Sequence, residues 1–187
     1  MVAPMTLPLR TERLELRQFN DDDLDALLEM QGDEEVTRYL PWGPQSRDQV
    51  LQLLERIKPM TALDASGDGT RLAAVLPDSR AVVGDFSLWR TSREHAQGEI
   101  GFVVHPDHQR RGYATEACTA LLRLGFEALG LHRIVGRADA RNVASIGVME
   151  RIGMRREAHL RENELIKGEW TDEVICAALA HEWRGPG

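Results

Sequence analysis

The part of the sequence that most constrains the fold is a strand pattern followed by a proline turn, a glycine and a helix pattern. The run GEIGFVV (98–104) is largely apolar and predicts a strand. The segment HPDHQRRGYA (105–114) interrupts that run. The segment TEACTALLRLGFEALG (115–130) has apolar residues at helical spacing and predicts a helix that ends at Gly130. This succession indicates one unit of an α/β domain.

The remaining patterns predict strands and helices on both sides of that unit. Alternation of polar and apolar residues predicts one strand over 9–19. A helix is predicted after it, and a second one over 46–57, where Ser46 and Gln49 form a capping-box pattern. Residues 64–70 predict a surface loop. The other predicted elements are strands at 71–76, 81–90 and 132–139, a helix at 142–153, and two strands within 156–183.

This order, β-α-α-β-β-β-α-β-α-β-β, predicts a single α/β domain over 1–187 with a mixed sheet and a core of about 9–183. The composition is that of an ordinary globular protein, with 42% apolar and 28% charged residues. The net charge of −7 argues against a nucleic-acid partner, which needs a basic face, and is compatible with a cationic substrate.

Cysteine usage and the absence of long apolar stretches predict the compartment. Cys118 and Cys176 have neither disulfide nor metal spacing, which suits a reducing cytoplasm. No stretch has the length of a signal-peptide core or of a membrane span. We therefore expect a cytoplasmic protein without a membrane partner.

The turn QRRGYAT (109–115) has the composition of an anion site. The N-terminus of a helix presents unpaired N–H groups and a partial positive charge. Gly112 and Ala114 keep side chains small where a phosphate would approach, and Arg110 and Arg111 add cationic donors. The pattern is neither a Walker loop nor a Rossmann fingerprint. By itself it also fits an ordinary loop-to-helix turn with a solvated arginine pair.

Taken together with other segments, the turn resembles a known family. The segment QRRGYA is similar to the acetyl-CoA motif of the GNAT N-acetyltransferases, with Ala at its last position. Other segments more closely resemble the branch that includes the ribosomal-protein N-terminal-alanine acetyltransferases: LRTERLELRQF (9–19), YLPW (39–42), NVASIGVMERIGM (142–154) and HEW (181–183). The resemblance implies a GNAT fold, with a mostly antiparallel mixed sheet, a splayed parallel strand pair, and helices on both faces.

The resemblance also implies acetyl-CoA as co-substrate and no metal. Backbone groups of the strand before the turn would pair with pantetheine, and the N–H groups of the turn would hold the pyrophosphate. The cofactor-binding positions implied are Phe102, Val103, Val104, Arg110, Arg111, Gly112, Tyr113, Ala114, Thr115 and Asn142. Asn142 is equally suited to be the N-cap of the next helix, and the two roles are compatible.

The catalytic positions implied are Glu99 and Ser145. Glu99 would be the general base, acting directly or through a water, although a solvated glutamate near a strand end fits the same pattern. Ser145 would donate a hydrogen bond or relay a proton near the cofactor sulfur, although it also fits a helix surface. Many relatives have a tyrosine acid where this chain has Met149, which leaves the acid step open.

Other side chains of possible chemical interest have simpler interpretations. Cys118 and Cys176 lie in apolar patterns and are expected in the core. His105 and His108 flank Pro106, so they are expected in a turn and not on a metal-binding helix face. Trp42 is expected to anchor its loop or to line the acceptor mouth.

The function predicted is acetyl transfer from acetyl-CoA to a primary amine by direct attack in a ternary complex. The acceptor expected from the branch resemblance is a protein N-terminal α-amine. The alternatives are a small-molecule amine, such as a polyamine, an amino-acid derivative or an aminoglycoside, or a non-catalytic sensor that binds acyl-CoA. The assembly expected is a monomer or a homodimer.

Overall fold

One mixed sheet of eight strands organises residues 7–60 and 69–185, which this computed structural model describes. In chain order the elements are β1 (Leu9–Arg10), β2 (Glu15–Gln18), α1 (Leu24–Gly32), α2 (Glu34–Thr37), α3 (Arg47–Ile57), β3 (Gly69–Val75), β4 (Val82–Ser92), β5 (Gln97–Val104), α4 (Tyr113–Arg123), β6 (Arg133–Asp139), α5 (Val143–Arg151), β7 (Arg155–Ile166) and β8 (Glu169–Leu179). The strand order is β1-β2-β3-β4-β5-β6-β8-β7.

Helices cover both faces of this sheet, as the resemblance implied. Strand β3 shows why, because its side chains alternate between two apolar clusters. Leu72 and Ala74 belong to the cluster that contains residues of α4 and α5. Ala73 and Val75 belong to the cluster that contains residues of α1 and α3. A strand buried on both faces needs apolar residues at successive positions, which explains the run LAAV.

The parallel pair β5–β6 is splayed. The two strands pair from Gln97 opposite Arg133 to Ile100 opposite Gly136. Beyond that point β5 continues to pair with β4, and β6 continues to pair with β8. Residues 101–104 therefore have a strand partner on one side only among the described residues. The predicted fold, including this divergence, is confirmed.

The single strand predicted over 9–19 is wrong. The segment forms two antiparallel strands, β1 and β2, joined by a tight turn. The turn is closed by side-chain chemistry that alternation does not reveal. Thr11 N–H donates to Leu14 O at 2.9 Å, and Leu14 N–H donates to Thr11 Oγ1 at 3.0 Å. The alternation within the second half is real, since Leu14 and Leu16 are both buried.

Two local expectations need correction. The short helix α2 has no counterpart in the prediction, although Asp33 caps it by accepting a hydrogen bond from Val36 N–H at 2.8 Å. The loop expected at 64–70 falls mainly on residues 64–68, which lie outside the described residues, whereas Gly69 and Thr70 open β3.

The helix ends and core positions agree better with the sequence. The capping box of α3 forms, with Ser46 N–H donating to Gln49 Oε1 at 2.8 Å. Gly130, with φ +64°, follows the helix that α4 begins and a π-helical turn (Leu124–Ala128) extends. Cys118 and Cys176 are buried in the core, as expected, and burial raises the pKa of each thiol.

Candidate active site

The turn before α4 has the backbone shape of an anion cradle. Gly112 is left-handed, with φ +82°, and Arg110 has φ +60°. Left-handed residues next to a helix start direct successive N–H groups toward one concave space. A Cβ at position 112 would lie 3.3 Å from Nη2 at the end of the exposed Arg13 side chain, so the dihedral angle is the feature that selects glycine.

The cradle is braced from behind by the turn between β1 and β2. Glu116, in the first turn of α4, accepts hydrogen bonds from Thr11 Oγ1 at 2.5 Å and from Arg13 N–H and Nε at 2.7 Å. Arg13 Nη1 also donates to Arg111 O at 3.0 Å. Burial raises the pKa of Glu116, but the hydrogen bonds from Thr11 and Arg13 outweigh it and hold that pKa below its ordinary value.

Two clefts meet where β5 and β6 diverge. The first, of about 390 Å³, contains the cradle and is named the donor cleft after the co-substrate that the sequence predicts for it. The second, of about 380 Å³, contains Glu99 and is named the acceptor cleft after the amine that the sequence predicts for it. Residues that line both clefts are Tyr39, Leu40, Phe102, Val103, Asn142 and Ser145. The two clefts therefore adjoin at the point of divergence and are lined by chemically different residues on either side of it.

Nearly all cofactor positions expected from the sequence lie in the donor cleft. They are Phe102, Val103, Val104, Arg110, Gly112, Tyr113, Ala114, Thr115 and Asn142. Arg111 is the exception, because it is exposed and not among the lining residues, and its carbonyl accepts the hydrogen bond from Arg13. Asn142 is the N-cap of α5, where its Oδ1 accepts from Ser145 N–H at 3.1 Å.

Glu99 lies on β5 in the acceptor cleft, with its side chain 35% exposed and 3.3 Å from Nε of Arg137. Burial raises the pKa of Glu99, and the attraction of Arg137 offsets only part of that effect. A carboxylate with a raised pKa is a better proton acceptor near neutrality. Ser145 is half-buried at the junction of the clefts.

The position at which many relatives have a tyrosine acid is occupied by a buried methionine. Met149 is 1% exposed, and its side chain occupies the space above Gly136, where a Cβ would collide with its sulfur. No phenol can therefore act from this position. Tyr39 lines both clefts, and only its position in the fold, not a sequence pattern, reveals this.

The acceptor cleft has a charged wall that the sequence did not predict. Arg137 contacts both Glu99 and the buried Glu173, and these three residues come from distant parts of the chain. Asp85 is buried against Arg71 in a bidentate ion pair in the same wall. Cross-strand neighbours of this kind leave no spacing signal within one segment.

Trp42 takes both of the roles considered for it. It lines the acceptor cleft and is 37% exposed. Its Nε1 also donates to Oε1 of the buried Gln31 at 2.9 Å, which anchors the loop.

The histidine pair lies in a turn, as expected from Pro106. His105 pairs with Glu29, with 2.7 Å between Nε2 and Oε2. Across residues 7–60 and 69–185, no group of three or more His, Cys, Asp or Glu could hold a metal ion. Within the same part of the chain, no helix combines the length and apolarity that crossing a membrane requires.

Known proteins share both the sequence pattern and the fold. A family model described as an acetyltransferase (GNAT) domain matches residues 13–155. The chain belongs to the GNAT family. It is therefore an N-acetyltransferase, and the enzymes of this family use acetyl-CoA as their co-substrate.

Individual GNAT relatives extend over nearly the whole chain. The N-acetyltransferase YnaD of Bacillus subtilis is 33% identical over 94% of this chain and 98% of its own. The ribosomal protein uS5-alanine N-acetyltransferase of Escherichia coli is 26% identical over 94% and 92%. A GNAT-family acetyltransferase structure from Bacillus anthracis has a TM-score of 0.83 at 31% identity, over 93% of this chain and 99% of that one.

Proposed function

We propose that this GNAT enzyme acetylates a protein N-terminal α-amine by direct attack on acetyl-CoA in a ternary complex, with the whole chain acting as one cytoplasmic domain. The observation that carries the proposal is the meeting of the two clefts. Donor and acceptor would approach from opposite ends and meet beside Phe102, Val103, Asn142 and Ser145. Holding both reactants in line removes much of the entropic cost of the reaction.

The donor cleft fits an extended, anionic co-substrate. The N–H groups from Arg110 to Thr115 would hold the pyrophosphate, with Gly112 giving the close backbone approach. Phe102, Val103 and Val104 lie beyond the last β5–β6 pair, so their backbone can bind the amides of pantetheine as an added strand would. Arg111 contributes its backbone and its charge from outside the cleft.

Glu99 is the general base of this proposal. An ammonium has no lone pair, so the acceptor must lose a proton before it attacks. The pKa of an α-amine is about 8, against about 10.4 for lysine, so the α-amine needs less help. Glu99 acts as a base only when ionised, and its raised pKa places the acidic limit of activity above that of an ordinary glutamate.

The remaining charges are handled by hydrogen-bond donors. A backbone N–H of β5 would stabilise the negative charge that develops on the acetyl oxygen. Ser145 would donate its hydroxyl to the departing sulfur. A thiolate with a pKa near 8.5 is a fair leaving group, so a hydrogen bond suffices where Met149 replaces a phenol.

A small cationic amine is the second candidate acceptor. Glu99, Glu164 and Glu173 line the acceptor cleft beside the aromatic rings of Trp42 and Trp89. Carboxylates and aromatic faces both attract ammonium groups. The α-amine is preferred because the relative that acts on ribosomal protein uS5 aligns with almost the whole chain.

The test is thiol release from acetyl-CoA with matched acceptors. The panel contains peptides with free N-terminal alanine, the same peptides with a blocked N-terminus, polyamines and aminoglycosides. Turnover on the free peptides alone supports the proposal, whereas turnover confined to small amines transfers the assignment to the second candidate. Binding of acetyl-CoA without turnover on any of these acceptors contradicts both acceptor assignments.

A further inference from the structure

Three charged side chains from three neighbouring strands form a row in the charged wall of the acceptor cleft. Nε of Arg137, on β6, lies 3.3 Å from Oε2 of Glu99, on β5. Its Nη1 lies 3.1 Å from Oε2 of Glu173, on β8. One guanidinium therefore joins two carboxylates.

The register of the sheet produces this arrangement. Glu99 is opposite Val135 in the parallel pair. Asp139 is opposite Glu173 in the antiparallel pair between β6 and β8. Because side chains alternate along a strand, residues 135, 137 and 139 share one face, and Arg137 lies between the two glutamates.

The two glutamates at the ends of this row differ in burial. The Glu173 side chain is 8% exposed, and its Oε2 also accepts a hydrogen bond from Asn163 Nδ2 at 3.0 Å. The Glu99 side chain is 35% exposed and lies at the longer of the two distances. A buried carboxylate holds its partner firmly, because separating the pair would leave an uncompensated charge. Arg137 is thus fixed by Glu173, and Glu99 is the accessible end.

We infer that Arg137 and Glu173 are a positioning pair for Glu99. Arg137 orients the Glu99 carboxylate toward the acceptor amine. Glu173 shares the charge of Arg137, so that the guanidinium does not make Glu99 too weak a base. This inference rests on the proposed role of Glu99 as the general base.

Other charged groups around the acceptor cleft are accounted for. Asp85 of β4 is paired with Arg71 of β3, and Asp139 of β6 is paired with Arg141. Asp172 of β8 is paired with His159 of β7. Glu164 of β7 adds negative charge, and Tyr39 lines the same cleft from the segment after α2. Within residues 7–60 and 69–185, Arg137 is therefore the cation that faces Glu99 directly.

The experiment measures the titration of Glu99 in the full-length enzyme. Carboxyl ¹³C NMR signals are followed against pH, and the Glu99 signal is assigned by its loss in Glu99→Gln. Arg137→Gln is expected to move the midpoint to higher pH, because it removes the attracting charge. Glu173→Gln is expected to move it to lower pH, because it removes a like charge and frees Arg137. The acidic limb of kcat/KM should move in the same two directions.

Opposite shifts from two neutralising substitutions distinguish this arrangement from general destabilisation. Arg137→Lys keeps the charge and should leave the midpoint closer to that of the parent, while kcat falls because a point charge orients less well than a guanidinium. Arg133→Gln is the matched control, since Arg133 lies on the same strand and pairs with the exposed Glu157. The Arg133→Gln variant should leave both the Glu99 titration midpoint and the acidic limb of kcat/KM unchanged.

Unmoved midpoints, or shifts in the same direction for both variants, overturn the inference. If Arg137→Gln does not fold, the test rests on Glu173→Gln alone. A Glu99 titration midpoint that does not move to lower pH in that variant overturns the inference. Failure of the proposed function has a different signature, in which Glu99→Gln retains full kcat and the same pH profile.

Discussion

At the scale of single residues, the site depends on positions whose chemistry is set by backbone or burial and not by side-chain type alone. Gly112 is selected by its left-handed dihedral angle. Glu99 is a common residue on a strand, and only its burial and its contact with Arg137 distinguish it from other glutamates. Substitutions at these two positions should therefore separate binding from chemistry.

Replacement of Gly112 should weaken binding of acetyl-CoA. Gly112→Ala makes the left-handed shape of the cradle cost about 1.4 kcal/mol, and a turn that relaxes out of that shape should bind acetyl-CoA about tenfold more weakly. Gly112→Glu should weaken it further, because a carboxylate repels the pyrophosphate. Calorimetric titration with acetyl-CoA measures both effects. Gly130→Ala is the control, since Gly130 also has a positive φ and a Cβ added there would meet no described atom within 4 Å; it should lose stability without losing affinity.

Replacement of Glu99 should impair chemistry and spare binding. Glu99→Gln should lower kcat about 10²- to 10⁴-fold, the usual worth of a general base, and should abolish the acidic limb of the pH profile. The dissociation constant for acetyl-CoA should stay within about twofold, a difference of under 0.5 kcal/mol. Steady-state kinetics and calorimetry on the same preparations measure the two quantities. A variant with a tenfold weaker affinity would show that Glu99 supports the donor cleft instead.

At the scale of elements, the brace between the β1–β2 turn and α4 is the feature that positions the cradle. Three hydrogen bonds converge on Glu116, in the first turn of the helix, and the one from Arg13 Nε is also an ion pair. This brace joins the start of the described chain to a helix about a hundred residues later. A loss of the brace should therefore affect both stability and the shape of the cradle.

Glu116→Gln should destabilise the fold at neutral pH and less so in acid. Hydrogen bonds to a charged group contribute about 1.5–3 kcal/mol, so a loss of about 2 kcal/mol is expected at pH 7. The folded-state pKa of Glu116 is lowered, so its contribution is present above the unfolded pKa and is lost as pH falls through the folded pKa. Urea denaturation measures the difference in the free energy of unfolding between parent and variant, and this difference should decrease as the pH falls. A difference in the free energy of unfolding that does not change with pH would contradict a role for the ionised Glu116 carboxylate.

At the scale of the whole molecule, the two clefts carry opposite charge. Two arginines and one glutamate, Arg110, Arg151 and Glu35, line the donor cleft, whereas the acceptor cleft has six carboxylate side chains against the two arginines Arg71 and Arg137. An anionic donor and a cationic acceptor would each be attracted to a different cleft. The net charge of −7 alone does not reveal this separation.

Salt should therefore raise KM for both substrates. Attraction of exposed charges is screened over about 10 Å at 0.1 M ionic strength and over about 3 Å at 1 M. Initial rates measured between these two concentrations should show KM for acetyl-CoA and KM for a cationic acceptor rising together, with kcat changing less. A KM for the acceptor that does not change with salt would argue against attraction of the acceptor by the carboxylates of the acceptor cleft.

How far the sequence predicts this molecule differs between its parts. The β5–turn–α4 unit, α3 and the donor-cleft residues follow from periodicity, capping and the family motif, because those signals lie within short segments. The turn at Thr11 and the helix α2 were missed, because each depends on one or two side-chain hydrogen bonds. The contacts of Arg137 with Glu99 and Glu173 were missed because strand register, not spacing along the chain, brings them together.

The divergence of β5 and β6 also divides the sheet mechanically. Strands β1–β5 and β6–β8 are joined across this boundary by only four residue pairs among the described strands, Gln97–Ile100 with Arg133–Gly136. Amide protons of 101–104 on the open side should exchange quickly in the free enzyme and slowly once acetyl-CoA bridges the gap. Ligand that binds only the folded state also lowers the population of open forms that proteases cut. Acetyl-CoA would then protect the enzyme against unfolding and proteolysis as well as serve as its co-substrate.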